Sequence, residues 1–597
     1  MSSASHSTST STSSSAADRA IRNQKQIAHV KQLWWFLASV IAFFTLVRFG
    51  RYLWSKLTKV PKRTVDPAKE KTDEETCKPP QDISSPLHRT LSTLTTGFRI
   101  AFFRFSVPVG PGSTMRLSEL NFILIYISAH LIWLLVDTRD LTAMMYQDRA
   151  ALLGSSQLPL IVALAGKNNV LSWLTGVSHE KLNVLHRAAA RTNFVFVWIH
   201  ALTRYVSVLP PQFDFTHDWM RSGAVGLASL TIAVILSLQP IRHVAFEFFL
   251  VTHIVLVFIY IVAGYYHARE QHMGFYIWPA LLIWGFDRAL RLGRLVWNNK
   301  MWSPAHPGDA LVELLSEDTI RLTLRRRISW TPGQHAYVIL PSVSKLPFEA
   351  HPFTIASIPE TCGESKERDV VFIVRGRSGF TQRLRDQATK SHGSRVPAFL
   401  DGPYGCPPDL RRFSTCVLIA GGSGISYTLP LLLNLVRLNA LGENSAVKRI
   451  VFVWAVRDAA HIEWISKTLM QALGRATPTL NVEPRIYITG NKYPIPEVPS
   501  LPMQRASTSS SSIEKGEISH AELPLYSALK LIHGRPSMKK LLSEEIASAL
   551  GPVSVGVAGP SNMSESVRKA LSTDMAGPSA VLKGSQPVTL HVETFGM

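Results

Sequence analysis

The chain has 597 residues, enough for three or four domain-sized units, and 46% of them are hydrophobic. Its formal net charge is +21, yet the basic residues are scattered or sit beside apolar runs, which points to acidic lipid headgroups and an anionic nucleotide and excludes a nucleic-acid-binding module. Four cysteines (Cys77, Cys362, Cys406 and Cys416), with no CxxC or Cys/His zinc spacing, read as reduced structural thiols and exclude iron–sulfur and structural zinc sites.

Residues 1–32 are Ser/Thr-rich and predict a disordered tail. The run 33–54, interrupted by Arg48 and Arg51, reads as an uncleaved signal anchor, and a polar, basic loop containing KLTKVPKR extends to residue 116. The apolar residues concentrate before residue 298, which predicts a membrane half and a soluble half. Seven spans are expected, at 33–54, 117–136, 158–174, 184–209, 221–240, 244–266 and 274–297. Arg242 lies in the link after the fifth span, and Arg288, Arg291, Arg294 and Lys300 crowd the end of the seventh, whereas DTRDLTAMMYQD and PPQFDFTHDW are less basic. The positive-inside rule then puts the N-terminus outside and everything from about residue 298 in the cytosol of a multi-pass protein.

Within this half, His186 and His200 share one apolar stretch, and His253 and His267 share another, both pairs 14 residues apart. Fourteen steps of a helix return to within about 40° of the starting face and rise roughly 21 Å. Charge runs spans four and six in the same direction, so His186 faces His253 on the cytosolic side and His200 faces His267 on the outer side. Two stacked bis-histidine sites result, a geometry that fits two hemes, because neutral imidazole is a common iron ligand and intramembrane ionisable residues are rare. His130, alone in ISAHLIWLLV, reads as a core residue.

After residue 300 the pattern changes to short strands. HAYVIL, VVFIVR and RVPAFLDGPYG predict a small antiparallel barrel up to about residue 410. From Thr415, buried strands alternate with helices in a nucleotide-binding α/β pattern, interrupted at 491–523 by a low-complexity surface insertion. The expected domains are a tail at 1–32, the first span and loop at 33–116, a heme-binding helical bundle at 117–298, a flavin domain at 299–410 and a nucleotide domain at 411–597.

Three motifs carry a resemblance. HPFTIAS (351–357) follows the strand HAYVIL; FIVRGRSGFTQRL (372–384) opens a helix after a strand; LIAGGSGISYTLP (418–430) is a strand, a glycine turn and a helix. Together they resemble the ferric reductase and NADPH oxidase branch of the ferredoxin–NADP reductase superfamily, over residues from about 115 to the end. The resemblance implies FAD, two b-type hemes and NADPH. His351, Pro352, Phe353 and Thr354 would lie against the isoalloxazine, with Thr354 bonding it. Arg375 would meet the pyrophosphate, and Gly379, Phe380 and Thr381 would offer it a helix N-terminus. Gly421, Gly422 and Gly424 would hold NADPH, with Arg457 and Arg535 at the 2′-phosphate. Arg187 and Arg191 would pair with heme propionates at the inner site, and Arg204 at the outer. Phe595 would cover the flavin, although the family's common terminal Trp is replaced by Met597. Ala558 stands where many relatives carry a Cys near the hydride path.

The implied activity is that of a fungal-type ferric-chelate reductase of the plasma membrane. It would deliver electrons to extracellular ferric chelates, siderophores or cupric ions, upstream of a ferroxidase/permease uptake system. An NADPH oxidase shares nearly all these parts, and a heme-binding scaffold with an inactive reductase domain is the remaining alternative.

Overall fold

The computed structural model describes residues 7–57, 86–110, 113–138, 143–206, 214–301, 310–360, 367–390, 393–443, 445–490, 529–572 and 576–593. The chain divides into two compact units, Met1–Thr58 with Ser106–Gly293, and Lys59–Phe105 with Arg294–Met597. The insertion expected at 491–523, Cys77, Cys362 and Phe595 lie outside the described residues.

The first unit is helical. Its elements are α1 (Ser7–Leu57), and, after α2 (Pro86–Arg99) of the second unit, α3 (Leu117–Leu135), α4 (Ala143–Ser156), α5 (Leu158–Ala165), α6 (Val170–Thr175), α7 (His179–Val206), α8 (Asp218–Leu236), α9 (Gln239–Val244), α10 (Phe246–Arg269) and α11 (Trp278–Asn298). A short antiparallel hairpin, β1 (Ser106–Gly110) and β2 (Ser113–Arg116), leads into α3. Four helical stretches among the described residues are long and apolar enough to cross a membrane: Gln24–Leu53, Leu117–Leu135, Asp218–Leu236 and Phe246–Arg269. The expected spans at 184–209 and 274–297 correspond to α7 and α11, which have the length but carry more charge.

Three expectations need correction. Residues 7–32 are helical, and from Gln24 onward they pack into the unit, with Val30 and Leu33 buried. The loop at 55–116 contains α2 and the β1–β2 hairpin. The span at 158–174 is not one helix: α5 ends at Ala165, and Asn169 starts α6 by accepting from the backbone N–H groups of Leu171 and Ser172. The helical segment before it begins at Ala143, in a stretch whose Gln147, Asp148 and Arg149 read as loop. Arg149 is buried there because its guanidinium donates to the carbonyls of Leu134 and Val136, where α3 runs out of partners, and to Gln26 of α1. A charge in an apolar unit is tolerated when its donors are all used this way.

The second unit holds two strand-rich domains. The first contains β3 (Ala310–Ser316), β4 (Thr319–Arg326), β5 (His335–Ile339), β6 (His351–Thr354), β7 (Arg368–Arg375), α12 (Gly379–Lys390), β8 (Arg395–Val396) and β9 (Phe399–Tyr404). These strands form two antiparallel sheets, in the orders β7-β4-β3-β8 and β6-β5-β9, over one apolar core that includes Leu322, Val338, Phe372 and Leu400. The antiparallel strands expected here are present, paired as two sheets. The second domain contains β10 (Thr415–Gly421), α13 (Ile425–Ala440), β11 (Arg449–Val456), α14 (Ser466–Arg475), β12 (Asn481–Ile488), β13 (Lys530–His533), α15 (Met538–Ala547), β14 (Val553–Ala558), α16 (Ser561–Leu571), α17 (Pro578–Leu582) and β15 (Val588–Glu593). All its strands are parallel, in the order β13-β12-β11-β10-β14-β15, and the near-continuous apolar runs of the central β11, β10 and β14 are buried on both faces.

The segment after α2 belongs to this α/β domain. Arg104 is buried, and its guanidinium donates to the carbonyls of Leu571 and Val588 at 2.6 and 2.8 Å, ending α16 and opening β15. Arg104→Ala leaves both carbonyls without that donor, at a cost of about 2 kcal/mol. Hydrogen exchange in the last turn of α16 and in β15 should accelerate roughly thirty-fold, while β11 at the sheet centre keeps its protection.

Candidate functional site

The four histidines spaced 14 residues apart all lie on α7 and α10, His200 beside His267 and His186 near His253. The rings of His200 and His267 face each other with centroids 6.1 Å apart. That separation leaves room for one metal atom between two nitrogens at about 2 Å each. His253 lies near His186 at the other end of the two helices. Three of the four rings are oriented by backbone carbonyls of neighbouring helices. His186 Nδ1 meets the carbonyl of Ile161 in α5 at 2.8 Å, His200 Nδ1 that of Gln147 in α4 at 3.2 Å, and His267 Nδ1 that of Trp219 in α8 at 2.9 Å. An Nδ1–H donated to a carbonyl fixes the tautomer that keeps the Nε2 lone pair for a metal. The break between α4 and α5 lets one length of chain supply the carbonyls behind both histidines of α7.

The donor set decides what would fit. No group of three or more His, Cys, Asp or Glu residues is assembled among the described residues. Two imidazoles without further protein ligands do not complete a tetrahedral zinc site, but they match the axial positions of a metal whose other four donors come from a porphyrin. The residues present therefore fit heme at both pairs. Gly223, which sequence reasoning missed, supports the outer pair. A Cβ built there would stand 2.5 Å from His267 Nδ1, so α8 accommodates that ring only by having no side chain at this position. No sequence pattern distinguishes Gly223 from its neighbours in RSGAVGLAS.

Arg187 and Arg191 sit one turn apart on α7, close enough to Arg242 for their charges to interact, with Glu119 nearby. Arg204 is near both rings of the outer pair. His130 is buried, with Nδ1 on the carbonyl of Tyr126 one turn earlier, and its ring lies against that residue.

In the two-sheet domain, β6 presents His351, Pro352, Phe353 and Thr354 in antiparallel register with β5, Thr354 opposite His335 and Pro352 opposite Tyr337. Thr354 is buried, and the His351 ring stacks on Phe380 of α12 at 4.0 Å. Gly379 opens α12 with φ +55 and nothing within 4 Å of a Cβ position, leaving that helix N-terminus open. The Thr381 hydroxyl holds the turn before it, donating to the Ser378 carbonyl and accepting from the Arg377 N–H. Arg375 is engaged by Asp318 at 2.5 Å. Burial opposes the Asp318 charge, but the Arg375 hydrogen bond and the Thr319 hydroxyl keep its carboxyl below the usual carboxylate range. Asp318, unmarked in the sequence, thus fixes the guanidinium expected at a pyrophosphate.

In the α/β domain, the strand order reverses between β10 and β14, and open parallel sheets bind ligands in the crevice at the carboxyl ends of such a pair. The glycine turn lies at that point, and its glycines do different work. Gly422 has φ +54 with open space at its Cβ position, so it alone of the three offers close backbone approach to a ligand. Gly421 and Gly424 admit the loop after β14: a Cβ at Gly424 would lie 2.1 Å from the Ala558 carbonyl oxygen, and one at Gly421 2.8 Å from Pro560 Cδ. Trp454, fully buried on β11, pins the turn by donating from Nε1 to the Gly422 carbonyl at 3.0 Å. Arg457 follows β11 and Arg535 follows β13 by two residues; both are exposed at the carboxyl edge of the sheet, where Val456, Ile488 and His533 align. Cys416 is buried on β10, which pushes its thiol up to about 12 and keeps it unreactive.

Known families match three stretches: "Ferric reductase like transmembrane component" residues 150–264, "FAD-binding domain" residues 308–408 and "Ferric reductase NAD binding domain" residues 413–572. A probable cell surface ferric reductase of Aspergillus oryzae is 31% identical over 361 residues, covering 57% of this chain and 47% of its own length. Ferric/cupric reductase transmembrane component 1 of Candida albicans is 26% identical over 72% of this chain and 55% of its own. Ferric reductase transmembrane component 5 of Saccharomyces cerevisiae is 26% identical over 70% and 57%. The chain spans about half the length of these relatives. Among solved structures, a flavohemoglobin from Malassezia yamatoensis aligns over 76% of this chain and 99% of its own at 14% identity and TM-score 0.33, an overlap too loose to bear on the fold. The chain's three consecutive matches show a ferric reductase-like transmembrane region followed by an FAD-binding and an NAD-binding domain in one membrane protein, and its curated relatives are fungal ferric and ferric/cupric reductases.

Proposed function

We propose that the protein is a transmembrane ferric-chelate reductase that moves electrons from cytosolic NADPH to Fe(III) outside the cell. The observation that carries this reading is the pair of facing imidazole sets on α7 and α10, in one chain with an FAD-type and an NAD-type domain. When bound, FAD would supply the conversion of a hydride into single electrons, and two b-type hemes a one-electron path across the bilayer.

The chain's own residues hold and order these groups. His186 and His253 would ligate the inner heme, and His200 and His267 the outer. Arg187 and Arg191 offer cations for the inner propionates, which would offset the cost of their burial. Gly379 and Gly422 leave backbone N–H groups open to pyrophosphates, each at a helix or turn where the dipole favours an anion. Arg375, braced by Asp318, offers a fixed guanidinium on the flavin side whose remaining N–H donors can meet a pyrophosphate. Arg457 and Arg535 bring two guanidinium groups to the sheet edge, which favours the 2′-phosphate of NADPH over NADH. Phe595 is proposed as the flavin cover on the resemblance alone.

The proposed setting is the plasma membrane, with the nucleotide half in the cytosol. Membership of α2 in the same compact unit as residues 294–597 supports placing the loop after the first span on the cytosolic side. Ferric chelates or siderophores, and cupric ions, are the proposed acceptors, feeding a ferroxidase/permease system.

Three outcomes test the reading. In whole cells, His186→Ala or His253→Ala should abolish reduction of an impermeant ferric chelate, while membranes opened to the cytosolic side still oxidise NADPH with a soluble flavin-level dye. Retained surface iron reduction, or superoxide release from the native protein without iron reduction, would overturn it. Arg457→Ala and Arg535→Ala should each raise the KM for NADPH roughly tenfold, as loss of a charge-assisted bond does, with the KM for NADH unchanged. Gly223→Ala should cut heme content to about half and remove the outer site's absorbance, since the new methyl occupies the space of the His267 ring.

A further inference from the structure

Asn193 lies seven residues after His186 and seven before His200, and Tyr260 lies seven after His253 and seven before His267. Seven residues are two helical turns less about 20°, so each falls on its helix's histidine face, roughly 10 Å along the axis from either neighbour. In the middle of the two helices, Asn193 Nδ2 donates to Tyr260 Oη at 2.9 Å. Both residues are buried, at 4% and 6% exposed.

The packing around them gives the bond its position. α7 packs along α3, α4 and α5, and α10 packs along α8, but α7 and α10 are not packed backbone against backbone. Their facing histidine stripes therefore border a slot, and the Asn193–Tyr260 bond crosses it at mid-height. Asn193 Oδ1 is buried without a hydrogen-bond partner and lies over Gly154 of α4, where a Cβ would approach it to 3.0 Å. α4 thus holds the amide from behind. An apolar pair would fill this place without leaving a buried carbonyl oxygen unsatisfied, so the polar pair is not explained by packing alone.

We propose that Asn193 and Tyr260 are positioning residues whose bond registers both imidazole pairs at once and divides the slot into two heme-sized compartments. The proposal rests on the two-heme reading above. Because the bond is equidistant from all four histidines, a rotation or slip of either helix would disturb both pairs together. A residue serving one site would disturb one.

The test uses the full-length ferric protein in lipid nanodiscs, read by low-temperature electron paramagnetic resonance. In bis-imidazole hemes the low-spin signal reports the angle between the two ring planes, so the native protein should give two such signals. Tyr260→Phe keeps the ring and removes Oη. It should shift or broaden both signals at unchanged heme content. Asn193→Ser breaks the bond from the other helix and should displace the same two signals, which keeps the proposal testable if one variant fails to assemble. Both signals unchanged, or only one moved, would overturn the proposal. Absence of bis-imidazole signals from the native protein would instead overturn the two-heme reading itself, a result distinct from any variant's behaviour.

Discussion

The four histidines of α7 and α10 live under one constraint: in an apolar slab a polar atom needs a partner that the protein itself supplies. An imidazole has two nitrogens, and a ligand must spare one of them for the metal. The other is therefore met by a carbonyl from an adjacent helix, as at Ile161, Gln147 and Trp219. Much of the bundle follows from this. α4 and α5 must run along α7 to bring their carbonyls behind its two histidines, and α8 must approach α10 closely enough to reach His267, which requires a residue without a side chain at Gly223. Among the four histidines of α7 and α10, His253 is the exception, its Nδ1 buried without a partner and its ring beside Phe249.

The α/β domain meets the opposite problem, because its ligand is an anion and its backbone must come close to it. The strand reversal between β10 and β14 opens a crevice, and the glycine turn sits at its floor. Two of the three glycines are consumed in fitting the turn against the Ala558–Pro560 loop, leaving Gly422 free. Ala558 is fully buried at that contact. A small side chain there suits the close approach of the two loops, a packing reason for the residue that is separate from any part in hydride transfer.

The placement of the four histidines on two helices was legible in the sequence because its signal is periodic. A 14-residue repeat on two apolar helices and a charge asymmetry that orients them need no tertiary information. The parallel sheet was legible for a similar reason: runs such as CVLIA and RIVFVWAV are apolar throughout, as strands covered on both faces must be. What stayed hidden depends on partners distant in sequence. The start of α4 falls in the expected link DTRDLTAMMYQD, and what holds it, the open carbonyls of α3 on Arg149, comes from another helix. Asp318 has no local pattern that announces its bond to Arg375, 57 positions away. The two-sheet arrangement of the flavin-type domain likewise depends on which strand edges meet, which alternation within one strand does not encode.

The same logic explains Arg104. Nothing local in the sequence around Arg104 announces a distant partner. Its two terminal nitrogens nonetheless donate to carbonyls at the end of α16 and the start of β15, more than 460 positions along the chain. Carbonyls at a helix C-terminus are unsatisfied by construction, and β15 is the edge strand of its sheet. One cation satisfies both. Arg149 treats the C-terminus of α3 in the same way, so each unit uses a buried arginine to finish a helix end that the chain's own backbone leaves open.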